Sequence, residues 1–169
     1  RYSTEPEHQE NFKKYTSDWD FMWRYQINHM YLRYWFWNYI GSEGDFKEAG
    51  VSWKQLYGIP FLLGLFGAYY HWRKSPKMAF VAITSFIILG VVLALYQNQQ
   101  EPQPRERDYF YVGSFFIFSM WVGIGILGLI EELKAQLGKA PTSKFVTYGV
   151  LSVTAVFVPA NMLRTNFHE

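Results

Sequence analysis

The stretch 103–109, QPRERDY, contains the residues of this chain that are best suited to chemistry. Its four consecutive charges are Arg105, Glu106, Arg107 and Asp108, and Tyr109 follows them. Pro102 and Pro104 prevent a helix from continuing into these charges. Arginine binds phosphate or carboxylate through paired hydrogen bonds. The acids would hold the guanidinium groups, accept a proton, or accept hydrogen bonds from sugar hydroxyls. The same spacing also fits a solvated turn whose charges only anchor two helix ends.

A second candidate segment, residues 19–41, combines many aromatic side chains with basic and amide groups. Asp20 and Arg24 are four residues apart, and so are His29 and Arg33, which favours a helix. This helix is too polar to cross a bilayer and is predicted to lie along the membrane surface. Its candidates for binding a polar head group or a sugar are Arg24, His29, Arg33 and Asn38. The alternative is a plain aromatic membrane anchor.

Four apolar segments follow and would position these candidates. They span residues 56–72, 78–96, 109–130 and 145–163, and the middle two contain no charge. About 20 residues of helix cross a bilayer. The sequence therefore predicts an all-α, multi-pass membrane protein with four transmembrane helices and an N-terminal amphipathic interfacial helix. Residues 1–55 are predicted to form the polar entry segment and the aromatic interfacial helix, and residues 56–169 the four-helix transmembrane region with its charged outer loop at 101–109.

Composition excludes several function classes. A net charge of +2 gives no reason to expect nucleic acid as a partner. The chain has no cysteine, and its histidines lack metal-ligand spacing, so no metal site is predicted. The stretch 123–128, GIGILG, matches a dinucleotide-binding pattern but lies inside an apolar run without a preceding strand. Its glycines, with Gly64 and Gly67, are instead predicted to allow close helix contact.

Loop charges predict the orientation. The loop at 73–77 carries three basic residues and no acid, and the loop at 131–144 carries three lysines against two acids. Both are therefore predicted to be cytoplasmic. Residues 19–41 and 101–109 then lie together on the outer face and would share one interfacial cleft.

Several strings occur in an order that resembles a known family. They include FMWRYQINHMYLRYWFWNYIG, IPFLLGLFG, VPANMLRTNFHE and, most specifically, QPRERDYFYVGSF. Together they resemble the central part of the DUF2723 family, bacterial membrane proteins that are common in Bacteroidota and are grouped with protein O-mannosyltransferase-like glycosyltransferases. The resemblance covers most of residues 21–169. We accordingly expect the chain to be a piece of a larger protein of the bacterial inner membrane.

The resemblance implies a GT-C-type enzyme with its active site on the periplasmic side. Such enzymes transfer a sugar from a polyprenyl-phosphate carrier to an acceptor, here a protein, without a further cofactor. The carrier phosphate would suit Arg105 or Arg107 first, and Arg24 or Arg33 second. The catalytic acid is expected outside this chain, so no catalytic residue is assigned. The alternative is a non-catalytic membrane scaffold or subunit of an envelope complex that binds a protein partner.

Overall fold

The computed structural model describes residues 13–44, 49–99, 101, 107–137, 142–152, 156 and 158–166. Within these residues the chain is helical and forms no strand; a single β-bridge joins Ser42 to Val51. The prediction of an all-α fold is therefore confirmed for the part of the chain that the structure describes.

The first helix, α1, covers residues 18–39. Ser17 caps its start, with the Ser17 hydroxyl accepting a hydrogen bond from the Asp20 backbone N–H at 3.2 Å. The helix is α-helical over Asp18–Phe21, π-helical over Met22–Leu32 and α-helical again over Arg33–Tyr39. Gly41, whose φ is +132°, follows its end.

Five further helices follow in the described residues. Helix α2 spans Ile59–Lys74, and helix α3 spans Pro76–Gln97 with a π-helical section at Ile88–Val92. A 3₁₀ turn, Asp108–Tyr111, leads into α4, Val112–Leu137. The last two helices are α5, Thr142–Ser152, and α6, Val158–Asn166. Gly58, at φ +67°, and Pro60 mark the start of α2, because left-handed backbone and a first-turn proline both favour a helix start there.

Two helices are long and apolar enough to cross a membrane. They are Pro76–Gln97, with 22 residues, and the continuous helical segment Asp108–Leu137, with 30 residues. Of the most apolar 18-residue stretch of each helix, only 17% is buried against the rest of the protein in the first helix, and 39% in the second. A core helix of a soluble protein would bury most of such a surface, so these faces suit a lipid environment.

The other two predicted spans differ from the structure, and a four-span arrangement is not shown. Helix α2 has 16 residues, which corresponds to about 24 Å against a hydrocarbon core of about 30 Å. The segment 145–163 contributes to two described helices, α5 and α6, and Pro159 lies in the first turn of α6. A proline at that position begins a new helix more readily than it continues an old one.

Gly67 and Gly125 bring α2 and α4 into direct backbone contact, as predicted, whereas a Cβ at Gly123, a third glycine of the prediction, would have nothing within 4 Å. A Cβ built on Gly67 would overlap the carbonyl oxygen of Trp121 and lie 2.7 Å from the Gly125 nitrogen. A Cβ on Gly125 would overlap the carbonyl oxygen of Leu63. No side chain separates the two helices at this level, which is the small-residue packing that membrane helices use.

Helix α1 does not lie on the surface as the sequence predicted; it packs lengthwise against α3 and α4. Tyr31, 1% exposed, lies against Gly90 of α3, and its hydroxyl is 2.6 Å from the Ser114 Oγ of α4. The Tyr39 hydroxyl donates to the Phe115 carbonyl at 2.5 Å. The prediction was wrong because the tyrosine hydroxyls find partners inside the bundle, so these aromatic residues can be buried.

The two ends of the bundle carry different polar contacts. At one end the Lys74 Nζ lies 3.1 Å from a carboxylate oxygen of Glu131, and the Tyr70 hydroxyl donates to the same oxygen. These contacts join the end of α2 to the last turns of α4. The described residues of the charged loop, Glu101 and 107–109, lie at the opposite end, where α3 ends and the segment Asp108–Leu137 begins.

Candidate functional site

Helix α1 and the residues just before it contact both sides of the charged loop. The Tyr15 hydroxyl donates a hydrogen bond to Glu101 at 2.6 Å, and the Tyr34 hydroxyl accepts one from the Arg107 backbone N–H at 3.3 Å. The structure thus brings together the two segments from which the sequence drew its candidates. Arg105 and Glu106 lie outside the described residues.

The Glu101 side of the loop is held by several groups. The Lys14 Nζ lies 3.4 Å from a Glu101 carboxylate oxygen, and the Arg24 guanidinium lies 5.6 Å from the centre of the Tyr15 ring. Arg24 also pairs with Asp20 at 3.5 Å on its own helix. Burial, the hydrogen bond to Glu101 and the negative charge of that carboxylate together raise the pKa of the Tyr15 phenol.

We expect the Tyr15–Glu101 contact to persist to alkaline pH. Because the pKa of Tyr15 is raised in the folded state, its contribution to stability is complete below the ordinary tyrosine value of about 10. That contribution is lost as the pH rises above about 10 through the folded-state pKa. The measurement is an absorbance titration of phenolate in wild type minus that in Tyr15→Phe, which retains the ring contact with Phe21.

The difference titration should show one phenol that ionises later than an ordinary tyrosine. The thermal midpoint of the wild type should fall towards that of Tyr15→Phe only above about pH 10. A difference curve with its midpoint at the ordinary tyrosine value would contradict the buried contact.

The Arg107 side of the loop is built around Tyr34, which is 1% exposed. The Arg33 guanidinium lies 4.7 Å from the centre of the Tyr34 ring and 4.6 Å from that of Trp37. The Arg33 Nε donates to the His29 carbonyl at 3.1 Å. Cation–π contacts and this hydrogen bond hold one guanidinium on the ring of Tyr34 while the Tyr34 hydroxyl holds the backbone of Arg107.

Two buried donors at this end have no hydrogen-bond partner among the residues that the structure describes. They are the Nε of Arg107 and the hydroxyl of Tyr111, a residue that is 0% exposed. The Tyr111 ring lies 6.3 Å from that of Tyr34, and the Arg107 backbone N–H bonds the Tyr34 hydroxyl, so both residues contact the same side chain. We call Arg33, Tyr34, Arg107 and Tyr111 the arginine–tyrosine cluster. The two positive charges of this cluster, together with the unused donors of Arg107 and Tyr111, can bind an anion.

The other predicted residues that the structure describes make separate contacts. The His29 ring stacks on Tyr25 at 5.4 Å, and the Asn38 amide donates to the Tyr34 carbonyl of its own helix at 2.8 Å. Asp108 and Tyr109 are exposed in the 3₁₀ turn, with the Tyr109 ring 4.6 Å from that of Phe110. Arg24 lies at the Glu101 side. Among the predicted residues that the structure describes, Arg33 and Arg107 are thus the pair that contacts the side chain of Tyr34.

Sequence reasoning missed the tyrosines that organise the site. Two pairs of these residues are each three positions apart and therefore share one helix face. One pair is Tyr31 and Tyr34 on α1, and the other is Tyr111, just before α4, and Ser114 in its first turn. That spacing was the available signal. Tyrosine in an aromatic-rich segment is also typical of a membrane interface, so the spacing was not recognised as a sign of burial.

The described residues offer no site for a metal ion, since no three histidine, aspartate or glutamate side chains among them lie close enough to hold one. Comparisons of the chain with protein-family models, with curated proteins and with solved structures find no match. The resemblance to the O-mannosyltransferase-like family therefore stays a prediction, and function has to be inferred from the geometry of the site.

Proposed function

We propose that this chain is the membrane part of a glycosyltransferase-like protein, and that the arginine–tyrosine cluster binds the phosphate of a polyprenyl-phosphate-linked sugar. The whole protein would transfer that sugar to a protein acceptor at the periplasmic face of a bacterial inner membrane. The observation that carries the proposal is the buried Arg107 Nε, which lacks a partner in the described part of the chain.

A phosphate suits this donor for an energetic reason. A buried hydrogen-bonding group without a partner costs about 1–3 kcal/mol, and more when it is charged. A phosphate oxygen next to Arg107 would remove that cost and form a charge-assisted hydrogen bond. The Tyr111 hydroxyl, also without a partner in the described residues, would donate a second bond to the same group. Arg33, fixed on the Tyr34 ring, would add positive charge.

The place of the cluster suits the head group of a lipid-linked substrate. It lies where α3 ends at Gln97 and the segment Asp108–Leu137 begins, at one end of both candidate spans. A carrier phosphate at this level would leave its polyprenyl chain in the lipid. Apolar side chains such as Phe116, which is 74% exposed, offer a surface for that chain.

The finer topology is part of the same proposal. A periplasmic position of the charged loop is supported by the basic loops at 73–77 and 131–144, which favour the cytoplasm. The cluster would bind the substrate rather than catalyse the reaction, because its four residues carry guanidinium and phenol groups and no carboxylate. The catalytic acid is expected in another part of the protein.

The proposal predicts that Arg107→Gln weakens binding of a polyprenyl phosphate to the full chain in lipid nanodiscs. A hydrogen bond to a charged group contributes about 1.5–3 kcal/mol, so the Kd should rise by about tenfold to hundredfold. Tryptophan fluorescence is a suitable readout, since Trp37 lies within reach of the cluster.

Arg24→Gln is the matched control for this experiment. Arg24 is 62% exposed in its side chain and is paired with Asp20 on its own helix, so its loss should leave the Kd unchanged. An Arg107→Gln protein that is folded and binds the polyprenyl phosphate as tightly as wild type would refute the site. Equal weakening by both variants would indicate general electrostatic attraction.

A scaffold function is the second candidate, favoured by two exposed tryptophans. Trp19 is 75% exposed and Trp23 is 61% exposed, and they stand four residues apart on one face of α1. Such a face suits a protein partner. Purification in mild detergent separates the two functions, because a stoichiometric partner without bound lipid carrier favours the scaffold, whereas a bound polyprenyl phosphate favours the transferase.

A further inference from the structure

Helix α1 ends at half the height of the two candidate spans. The Trp35 ring lies 5.7 Å from that of Phe86, and Phe86 is the ninth of the nineteen uncharged residues 78–96. The Tyr39 ring lies 4.5 Å from that of Phe118, the tenth of the twenty-two uncharged residues 109–130. Both neighbours stand at the centre of their apolar runs, so the last turn of α1 is at mid-depth.

Helix α2 begins at the same height and continues to the far end of the bundle. The Phe61 ring lies 6.1 Å from the same Phe118, and Lys74 reaches Glu131 beyond the apolar run of α4. Along the apolar runs of α3 and α4, helix α1 therefore lies beside one half and helix α2 beside the other. The described residues between the two helices, 40–44 and 49–58, lie at the centre, and we call them the break.

Contacts within the break keep its described ends at this height. The Leu56 N–H donates to the Ile40 carbonyl at 3.2 Å, and the Ser52 N–H donates to the Gly41 carbonyl at 2.9 Å. The Trp37 Nε1 of α1 donates to the Gly50 carbonyl at 3.1 Å. The break thus places non-helical backbone next to the last turn of α1.

Charged side chains of the break are exposed at this depth. Glu43 and Lys54 are both exposed, and Trp53 beside Lys54 is 58% exposed. Helix α6 covers part of the break, because the Asn161 amide donates to the Lys54 carbonyl at 3.4 Å and to the Gln55 carbonyl. That contact does not bury the two charges.

Lipid is an unfavourable neighbour for such a segment. A lysine or an acid at the centre of a bilayer costs about 2.5–3.5 kcal/mol, and irregular backbone at this depth is tolerated only where protein buries it or water reaches it. We infer that residues 40–44 and 49–58 line a water-filled cleft that reaches the middle of the membrane and admits a hydrated polar head group. The inference depends on the proposed membrane placement of α3 and α4.

Cysteine accessibility tests the cleft, and the natural chain contains no cysteine. Single variants Lys54→Cys and Trp53→Cys are made in the full chain, with Phe116→Cys as the control. Phe116 is also exposed, lies two residues from Phe118 and therefore stands at similar depth, but it belongs to the spanning helix α4. Membrane vesicles of both orientations are treated with a charged, membrane-impermeant thiol reagent, and labelling is compared with that after denaturation in detergent.

We expect the two cysteines of the break to react at least about tenfold faster than Phe116→Cys. Protection of all three positions would refute the cleft and leave the membrane placement intact. Reaction of Phe116→Cys at the rate of Lys54→Cys would overturn the membrane placement itself, and with it the proposed function. Two positions in the break are used so that one misfolded variant does not decide the outcome.

Discussion

Replacing Gly125 with alanine should disrupt the packing of α2 on α4 and remove most of the stability of the bundle. The new Cβ would overlap the carbonyl oxygen of Leu63, which belongs to the backbone of the facing helix. Overpacking that flexible side chains can absorb costs about 1–3 kcal/mol. Here no side chain can move away, so we expect a loss of more than about 3 kcal/mol, a large share of the stability of a small domain.

Gly123→Ala is the matched control on the same helix. A Cβ at Gly123 would have nothing within 4 Å, and alanine is the better helix former by up to about 1 kcal/mol. Unfolding of both variants in mixed detergent, followed by tryptophan fluorescence, measures the difference. If Gly125→Ala unfolds at the same denaturant concentration as Gly123→Ala, the direct contact between α2 and α4 is incorrect.

Replacing Gln26 with leucine should also destabilise the fold strongly. Gln26 is 2% exposed, and its amide pairs twice with the backbone of Gln99, donating to the carbonyl at 2.6 Å and accepting from the N–H at 3.2 Å. Leucine fills similar space but leaves two buried backbone groups without a partner, at about 1–3 kcal/mol each. The end of α3 should then separate from α1.

The control for Gln26→Leu is Asn38→Leu on the same helix. Asn38 is exposed and bonds only within α1 in the described contacts, so its replacement should change the free energy of unfolding by less than about 0.5 kcal/mol. Hydrogen exchange at the Gln99 amide provides a local readout. Unchanged exchange there in Gln26→Leu would show that the paired amide contact does not hold the end of α3.

The sequence predicted α3 and α4 well, because their signal is local. Uncharged runs of 19 and 22 residues can be read without knowing any neighbour, and so can glycines spaced to allow close contact. The extent of α2 was less accessible. Its predicted span included residues before Gly58, where a left-handed backbone separates the helix from the break.

The position of α1 could not be read from its own residues. Its burial depends on partners such as Ser114, 83 residues after Tyr31, and Ser119, 80 residues after Tyr39. Without those partners the same tyrosines suggest a membrane surface. The site likewise contains one part that the sequence reveals and one that it does not. The arginines Arg33 and Arg107 were predicted from charge. Tyr34, which joins them, is defined only by the packing of α1 against the loop.

The glycine contact between α2 and α4 has a consequence for motion. Helices separated by side chains can slide, because rotamers adjust to each new register. Where the carbonyl oxygens of Trp121 and Leu63 lie directly against the facing glycines, a shift along the axis meets backbone atoms. Helices α2 and α4 should therefore move as one rigid body, and any opening of the bundle has to displace another helix, such as α1 or α3, relative to this pair.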